Sequence, residues 1–232
     1  MSKYIGNELE LFEHAHNWKN YYGSYIKPLL GLHVAEIGAG IGGTTLSLCN
    51  GEQKRWLCVE PDAALVSEID QKIFSGKLPI VCKSFIGYAA DLKEQFDSVL
   101  YIDVIEHIEA DEQELQRAYE LLRPGGRLFI IVPAHNSLFS PFDKMIGHYR
   151  RYSRVSLKKI IPSGLRIEKN YYLDSMGYFA SLVNRLWLKQ SIPTLRQIKF
   201  WDSYIVPVSK KADRITGYNF GKSILLIAQK TD

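Results

Sequence analysis

Short apolar runs alternate along the chain with longer stretches whose apolar residues recur at helical spacing. The runs at 33–37, 55–60, 79–83, 97–102, 127–132, 165–172 and 223–229 predict strands. The intervals 43–49, 62–75, 87–94, 110–122 and 153–161 predict helices. Such an alternation builds an α/β fold with a doubly wound, mostly parallel sheet. Before the first strand, Leu9 to Leu30 is rich in aromatic residues (Phe12, Trp18, Tyr21, Tyr22 and Tyr25, with His14 and His16) at a spacing that suits one or two helices. Residues 178–222 break the alternation. They are far longer than the usual connection of about four to six residues. Phe179, Leu182, Leu186, Trp187 and Leu188 form one group of helical spacing, and Phe200, Trp201, Tyr204, Ile205 and Val208 form another after Pro193. Two helices inserted before the last strand are expected there.

The first strand runs into a glycine-rich turn: Val34-Ala35-Glu36-Ile37-Gly38-Ala39-Gly40-Ile41-Gly42-Gly43. A helix beginning at such a turn offers unpaired N–H groups and a positive dipole end. Gly38, Gly40 and Gly42 remove the Cβ atoms that would hold a ligand off the backbone. The second strand ends at Glu60-Pro61, and Glu60 lies 22 residues beyond Gly38. That spacing suits a carboxylate accepting hydrogen bonds from a ribose diol. A nucleoside-containing cofactor at the top of the sheet follows. Gly38, Gly40 and Gly43 also satisfy the dinucleotide pattern, which keeps a nicotinamide cofactor open. Glu36 argues against it, because a carboxylate at the strand end repels a pyrophosphate but can hold an ammonium group.

Two further segments belong with the loop. Asp103-Val104-Ile105-Glu106-His107-Ile108 follows the fourth strand, and Leu122-Arg123-Pro124-Gly125-Gly126 closes a helix before the fifth. Together with the acidic-x-Gly-x-Gly-x-Gly loop and Glu60, they resemble the class I S-adenosylmethionine-dependent methyltransferases. The resemblance is close over residues 30–135. It implies a seven-stranded sheet in the order 3-2-1-4-5-7-6 with the last strand antiparallel, S-adenosyl-L-methionine as cofactor, one domain over 1–232, and a lid made by residues 1–30. It also implies cofactor contacts from Glu36, Gly38, Ala39, Gly40, Gly42, Glu60, Pro61, Asp103, Val104 and His107. Many members carry an acidic residue after strand three for the adenine amino group. Here Lys83-Ser84-Phe85 stands in its place, so Ser84 and Phe85 are expected to serve the adenine.

Ligands of open α/β sheets sit outside the carboxyl ends of the strands. Strand five ends at Val132-Pro133, which puts His135 beside the reacting centre, and the loop that follows packs Asp143, His148, Tyr149, Arg150, Arg151 and Tyr152 into ten residues. His148 to Tyr152 is similar to a His-Tyr-Arg-Arg-Tyr segment of a bacterial branch of the same family. This loop is the expected acceptor site. Methyl transfer from a sulfonium is an in-line displacement, and a hydroxyl acceptor needs a general base. His135 is the first choice, His148 the second and His107 the third. Arginines beside the acceptor point to an anionic small molecule or saccharide, and disfavour the cationic amine of an N-methyltransferase. An oxidoreductase, or a binding protein that keeps only the cofactor fold, leaves the Asp103–Ile108 segment or the polar loop without a role.

Composition sets the outer limits. The net charge of +4 does not by itself argue for nucleic acid, and no Asn-Pro-Pro-Tyr-type segment or appended basic domain supports it. The charge is uneven. Residues 178–222 hold eight basic and two acidic residues, so the insertion is a basic cap, a homodimer contact or a cover touching an anionic membrane surface. Cys49, Cys58 and Cys82 are odd in number and lack C-x-x-C spacing, which reads as reduced thiols in the cytoplasm. Neither a secretory leader nor an apolar stretch of about 18 residues is evident. No metal-ligand spacing is present.

Overall fold

The computed structural model describes residues 8–183 and 193–231. The elements are α1 (Glu8–Glu13), α2 (His16–Ile26), β1 (His33–Ile37), α3 (Gly43–Leu48), β2 (Arg55–Glu60), α4 (Ala63–Phe74), β3 (Cys82–Ile86), β4 (Phe96–Ile102), α5 (Asp111–Leu121), β5 (Leu122–Pro133), α6 (Pro141–Met145), α7 (Arg154–Lys159), β6 (Leu165–Leu173), α8 (Ser175–Val183), α9 (Leu195–Phe200), α10 (Val206–Ile215) and β7 (Ser223–Lys230). One seven-stranded sheet has the order β3-β2-β1-β4-β5-β7-β6. β7 runs antiparallel to β5 and β6, and the other pairings are parallel. This is the doubly wound arrangement that the alternation of runs and the family resemblance imply.

Two apolar layers cover the sheet. On one face Leu115, Ala118 and Leu121 of α5 and Leu157 of α7 pack on Val99, Tyr101, Leu128 and Ile130. On the other, Trp18, Tyr21, Tyr22 and Ile26 of α2, Leu48 of α3 and Ile69 of α4 cover Val34, Trp56, Cys58, Leu100 and Phe129. The residues of α2 at 18, 21, 22 and 26 form one helical stripe, which is why the aromatic segment is drawn onto the sheet. The three cysteines are buried and free.

The third strand lies three residues beyond the expected 79–83. Pro79 has no N–H to give to a ladder, and its carbonyl instead accepts from Cys82 in a turn, so pairing with β2 begins at Trp56 with Cys82. The helix expected over 87–94 shrinks to one 3₁₀ turn, Ala89–Asp91, where Asp91 accepts from the Tyr88 N–H and closes the turn. The second inserted helix is longer than expected. It runs without a break from α9 through a π turn (Trp201–Ile205) into α10. The wide turn precedes Pro207, whose ring and missing N–H an α-helix interior would not accept. Leu186, Trp187 and Leu188, on which the first inserted helix was drawn, lie outside the described residues.

The insertion is tied to α2 by buried carboxylates. Asp202 accepts from the Trp18 N–H (2.8 Å) and the Asn17 N–H (3.0 Å) and so caps the start of α2. Asp213 accepts from Tyr21 Oη (2.8 Å) and from the N–H groups of Asp174 (2.7 Å) and Ser175 (3.0 Å). Among the described residues no helix is long and apolar enough to cross a membrane.

Candidate functional site

The glycine loop leaves β1 at the carboxyl edge of the sheet. Gly38 and Gly40 have φ of +68° and +55°, where a side chain is strained. A Cβ on Gly38 would strike Val104, and one on Gly40 would press on Leu9 of α1. Thus α1 lies directly over the loop. It is held there by the Lys72–Glu13 ion pair (2.7 Å) and by Lys19, whose Nζ donates to the Phe12 and Glu13 carbonyls. Gly42 is different: its open side faces Leu78 and Ile69, so it serves packing inside the fold and not ligand approach. The N–H groups of Gly38 and Ala39 both donate to the Val59 carbonyl.

The two loop carboxylates play different parts. Glu60 is buried; its Oε2 accepts from the Gly40 N–H (3.0 Å) and its Oε1 from the Asp62 N–H (3.1 Å), with Pro61 half-buried between them. It therefore joins the loop to the end of β2. Glu36 turns inward. Its Oε2 accepts from Thr45 Oγ1 (2.6 Å) and Trp56 Nε1 (2.8 Å), and burial raises its carboxyl to about 7. An ammonium contact from that oxygen is ruled out by these two donors.

Ser84 and Phe85 are not at the end of β3. Because the strand is shifted, Ser84 sits mid-strand and donates to Asp70 on α4, while Phe85 packs into the core. Gly87 and Tyr88 leave the strand beside Glu60 instead. The Gly87 N–H donates to the Glu60 carbonyl, and Tyr88 is exposed. The missed signal was Pro79, which delays the strand and moves its end.

Opposite the loop, Asp103 follows the last residue of β4 with φ of +55°. Asp103 is exposed, and the protein atoms crowded around it push its carboxyl up to about 6 by desolvation. His148, Lys222 and Arg151 pull the other way. His107 follows one 3₁₀ turn later. Burial, with the neighbouring His148 adding to it, lowers His107 to about 4.

The polar loop is organised by Asp143, which is fully buried. It accepts from Ser140 N and Oγ (2.8 and 2.7 Å), His148 Nδ1 (2.9 Å), and Arg151 Nε and a terminal nitrogen (2.8 and 3.0 Å). These donors hold its carboxyl well below the usual range against the cost of burial. Arg151 keeps one buried nitrogen, Nη1, without a partner. Arg150 and Tyr152 turn away from Asp143. Arg150 pairs with Asp111 (2.7 Å) and donates to the Glu109 carbonyl, and Tyr152 is buried with its hydroxyl on Asp111 (2.6 Å). Both bind the loop to α5. Tyr149 is exposed, and its N–H donates to the Glu106 carbonyl.

His135 leaves β5 with φ of +62°. Its Nε2 meets the Gly221 carbonyl at 3.0 Å, so the Nε2–H tautomer is the one that fits, leaving Nδ1 as an acceptor. The ring stacks on Tyr172 (5.0 Å, 10°) and meets Tyr178 and Phe220 edge-on or tilted. Burial lowers its pKa, which keeps the imidazole neutral. Two further groups were not singled out from the sequence. Lys222, at the start of β7, lies over the Trp201 ring (4.7 Å) within the field of Asp103, Asp174, Arg151 and Asp143. The antiparallel last strand implied it, since such a strand starts at the site's end of the sheet. The other is Glu106. It is fully buried, and with His107 and His148 it brings three metal-capable atoms within 4.8 Å of one another. Sequence spacing gave no sign of this trio, because His148 arrives from a separate loop.

Known proteins share this fold and part of this sequence. Residues 35–128 match the model of a family described as a methyltransferase domain. The ubiquinone biosynthesis O-methyltransferase of Dictyostelium discoideum mitochondria is 26% identical over 139 residues. That match covers 55% of this chain and 42% of that protein, so the chain spans less than half the length of this curated relative. A chain of the Haloferax volcanii complex between the Trm112 methyltransferase activator and a methyltransferase superposes with a TM-score of 0.66 at 15% identity, covering 98% of this chain and 95% of that one. An S-adenosylmethionine-dependent methyltransferase of Thermotoga maritima superposes with a TM-score of 0.64 at 19% identity, covering 97% and 96%. These two likenesses are of fold.

Proposed function

We propose that this chain, a class I S-adenosylmethionine-dependent methyltransferase, methylates a hydroxyl group on a small, anionic, glycan-like acceptor. One observation carries the reading: a neutral imidazole with a free acceptor nitrogen, His135, shares its surroundings with two incompletely paired cations, Arg151 and Lys222. S-adenosylmethionine is taken along the glycine loop, with Gly38, Ala39 and Gly40 against its methionine end and Glu60 on the ribose diol. Tyr88 and Pro61 flank the adenine, in place of Ser84 and Phe85. Asp103 and Val104 close the seat from β4.

The acceptor oxygen attacks the sulfonium methyl in line with the breaking carbon–sulfur bond. Its proton passes to His135 Nδ1, and S-adenosylhomocysteine leaves. Arg151 and Lys222 hold the acceptor's carboxylate or phosphate, and they repel a cationic amine. The rings of Tyr172 and Tyr178 offer flat apolar faces to a sugar. Residues 8–30, 178–183 and 193–222 frame this site as parts of one domain. The exposed Phe200, Tyr204, Val208 and Ile215, with Lys199, Lys211 and Arg214 nearby, give the insertion a basic, apolar outer surface suited to lipid-linked acceptors.

Calorimetric titration with S-adenosylmethionine, S-adenosylhomocysteine and NADH tests the cofactor. Micromolar binding of the two sulfur compounds alone is expected, and binding of NADH alone would overturn it. His135→Ala is expected to keep cofactor affinity and lose turnover on the accepted substrate. Equal turnover would remove His135 as the base.

A further inference from the structure

Glu106 is the least satisfied polar group in the described structure. It is fully buried, and neither carboxylate oxygen receives a hydrogen bond from another residue. Buried polar groups are otherwise almost always paired, and an exception calls for an unseen partner such as an ion. Two imidazoles converge on it. His148 Nε2 lies 3.8 Å from Glu106 Oε1, and the His107 ring meets the His148 ring edge-on at 4.5 Å.

His148 is already oriented through its other nitrogen, with Nδ1 on the Asp143 carboxylate at 2.9 Å. His107 Nδ1 lies against Gly147. A carboxylate behind a ring, fixing which nitrogen faces inward, is the usual support of metal-bound histidine. A structural ion pair accounts for the trio less well. It explains neither the second free oxygen of Glu106 nor why His107 turns its edge to the same point.

We propose that Glu106, His107 and His148 form a binding site for a divalent transition-metal ion of the zinc class, with Asp143 as the positioning residue for His148. Two imidazoles and one carboxylate suit such an ion better than magnesium or calcium, which prefer oxygen ligands throughout. A tetrahedral ion with bonds of about 2.1 Å sets its ligand atoms about 3.4 Å apart. The separations of 3.8 Å and up to 4.8 Å in the structure close to that by small side-chain rotations. Three protein ligands leave a fourth position open. Through the reading above, that position lies near Asp103 on the acceptor side, where it takes an acceptor oxygen.

The test is made on the full chain after dialysis against a chelator. Zinc chloride is titrated by calorimetry, and cobalt chloride is followed by its visible ligand-field absorption. One ion per chain with micromolar or tighter Kd is expected, with a cobalt spectrum typical of mixed nitrogen and oxygen ligation. His148→Ala and Glu106→Gln should each weaken zinc binding by about 100-fold or more, and Asp143→Asn by roughly 10- to 100-fold. Circular dichroism and urea unfolding of each variant report folding separately. If Glu106→Gln fails to fold, His107→Ala, at a partly exposed position, decides in its place. No saturable ion in the parent, or equal affinity in the folded variants, overturns the site. Failure of the parent to bind S-adenosylhomocysteine overturns the methyltransferase reading instead, and leaves the zinc titration valid.

Discussion

Replacing Glu36 with glutamine isolates the cost of burying a carboxylate under the glycine loop. Both of its hydrogen-bond donors, Thr45 Oγ1 and Trp56 Nε1, point at Oε2. An amide oxygen accepts both in the same place, so the substitution removes the charge and little else. Burial lifts the carboxyl from 4.5 to about 7. The folded state therefore holds this proton more tightly than the unfolded chain does, and stability falls as the pH rises from 4.5 to about 7. At about 1.4 kcal/mol per pH unit, the full loss is about 3 kcal/mol. Glu36→Gln does not titrate and escapes it. Urea unfolding at about pH 5 and about pH 8 measures the difference; the variant should gain up to about 3 kcal/mol over the parent at the higher pH and little at the lower one. A variant no more stable than the parent at the higher pH refutes the reasoning. It would mean that the nearby Lys19 already compensates the charge. The same variant should bind S-adenosylmethionine with little change in Kd, since Oε2 is committed to Thr45 and Trp56.

Three other expectations follow from the geometry. Glu60→Ala strips the Gly40 and Asp62 N–H groups of their acceptor and removes the diol partner; calorimetry should show cofactor binding weaker by about 1–3 kcal/mol, roughly 5- to 150-fold. Unchanged affinity would move the ribose elsewhere. Asp213→Ala leaves Tyr21, Asp174 and Ser175 without their shared acceptor and should cost about 2–4 kcal/mol in denaturant unfolding, whereas a cost below about 1 kcal/mol would show that water replaces it. Leu9→Ala takes away the side chain resting on Gly40 and should speed stopped-flow association of S-adenosylhomocysteine roughly threefold or more. A rate equal to the parent's would mean that α1 does not obstruct the seat.

Legibility differed between backbone and side chains. Strands β1, β2 and β4 to β7 follow from apolar runs long enough to admit one register, and the glycine loop follows from residues that only a positive φ explains. β3 was misplaced because its run starts at Pro79, which has no N–H to give to a ladder. Gly38, Gly40, Glu60, Asp103 and His135 come to one end of the sheet because strand ends do. Arg150 and Tyr152 belong to the same ten residues yet turn onto Asp111, a partner 39 and 41 residues away that no local pattern reveals. Lys222 and Glu106 went unnoticed for the opposite reason. A lone lysine before a strand and a glutamate inside an apolar segment look ordinary until the sheet brings β7 and the 148 loop alongside.

The bonds from Asp202 and Asp213 to α2 have a bearing on how the protein is made. Trp18, Tyr21 and Tyr22 emerge from the ribosome early, but the carboxylates that cap and clasp their helix come 184 and 192 residues later. At about 5–20 residues per second, synthesis takes roughly 10 to 40 s to cover that gap. For that interval the nascent chain presents a stripe of large aromatic rings with nothing to finish it, a natural station for a chaperone. Helix α2 is completed only by the last quarter of the chain.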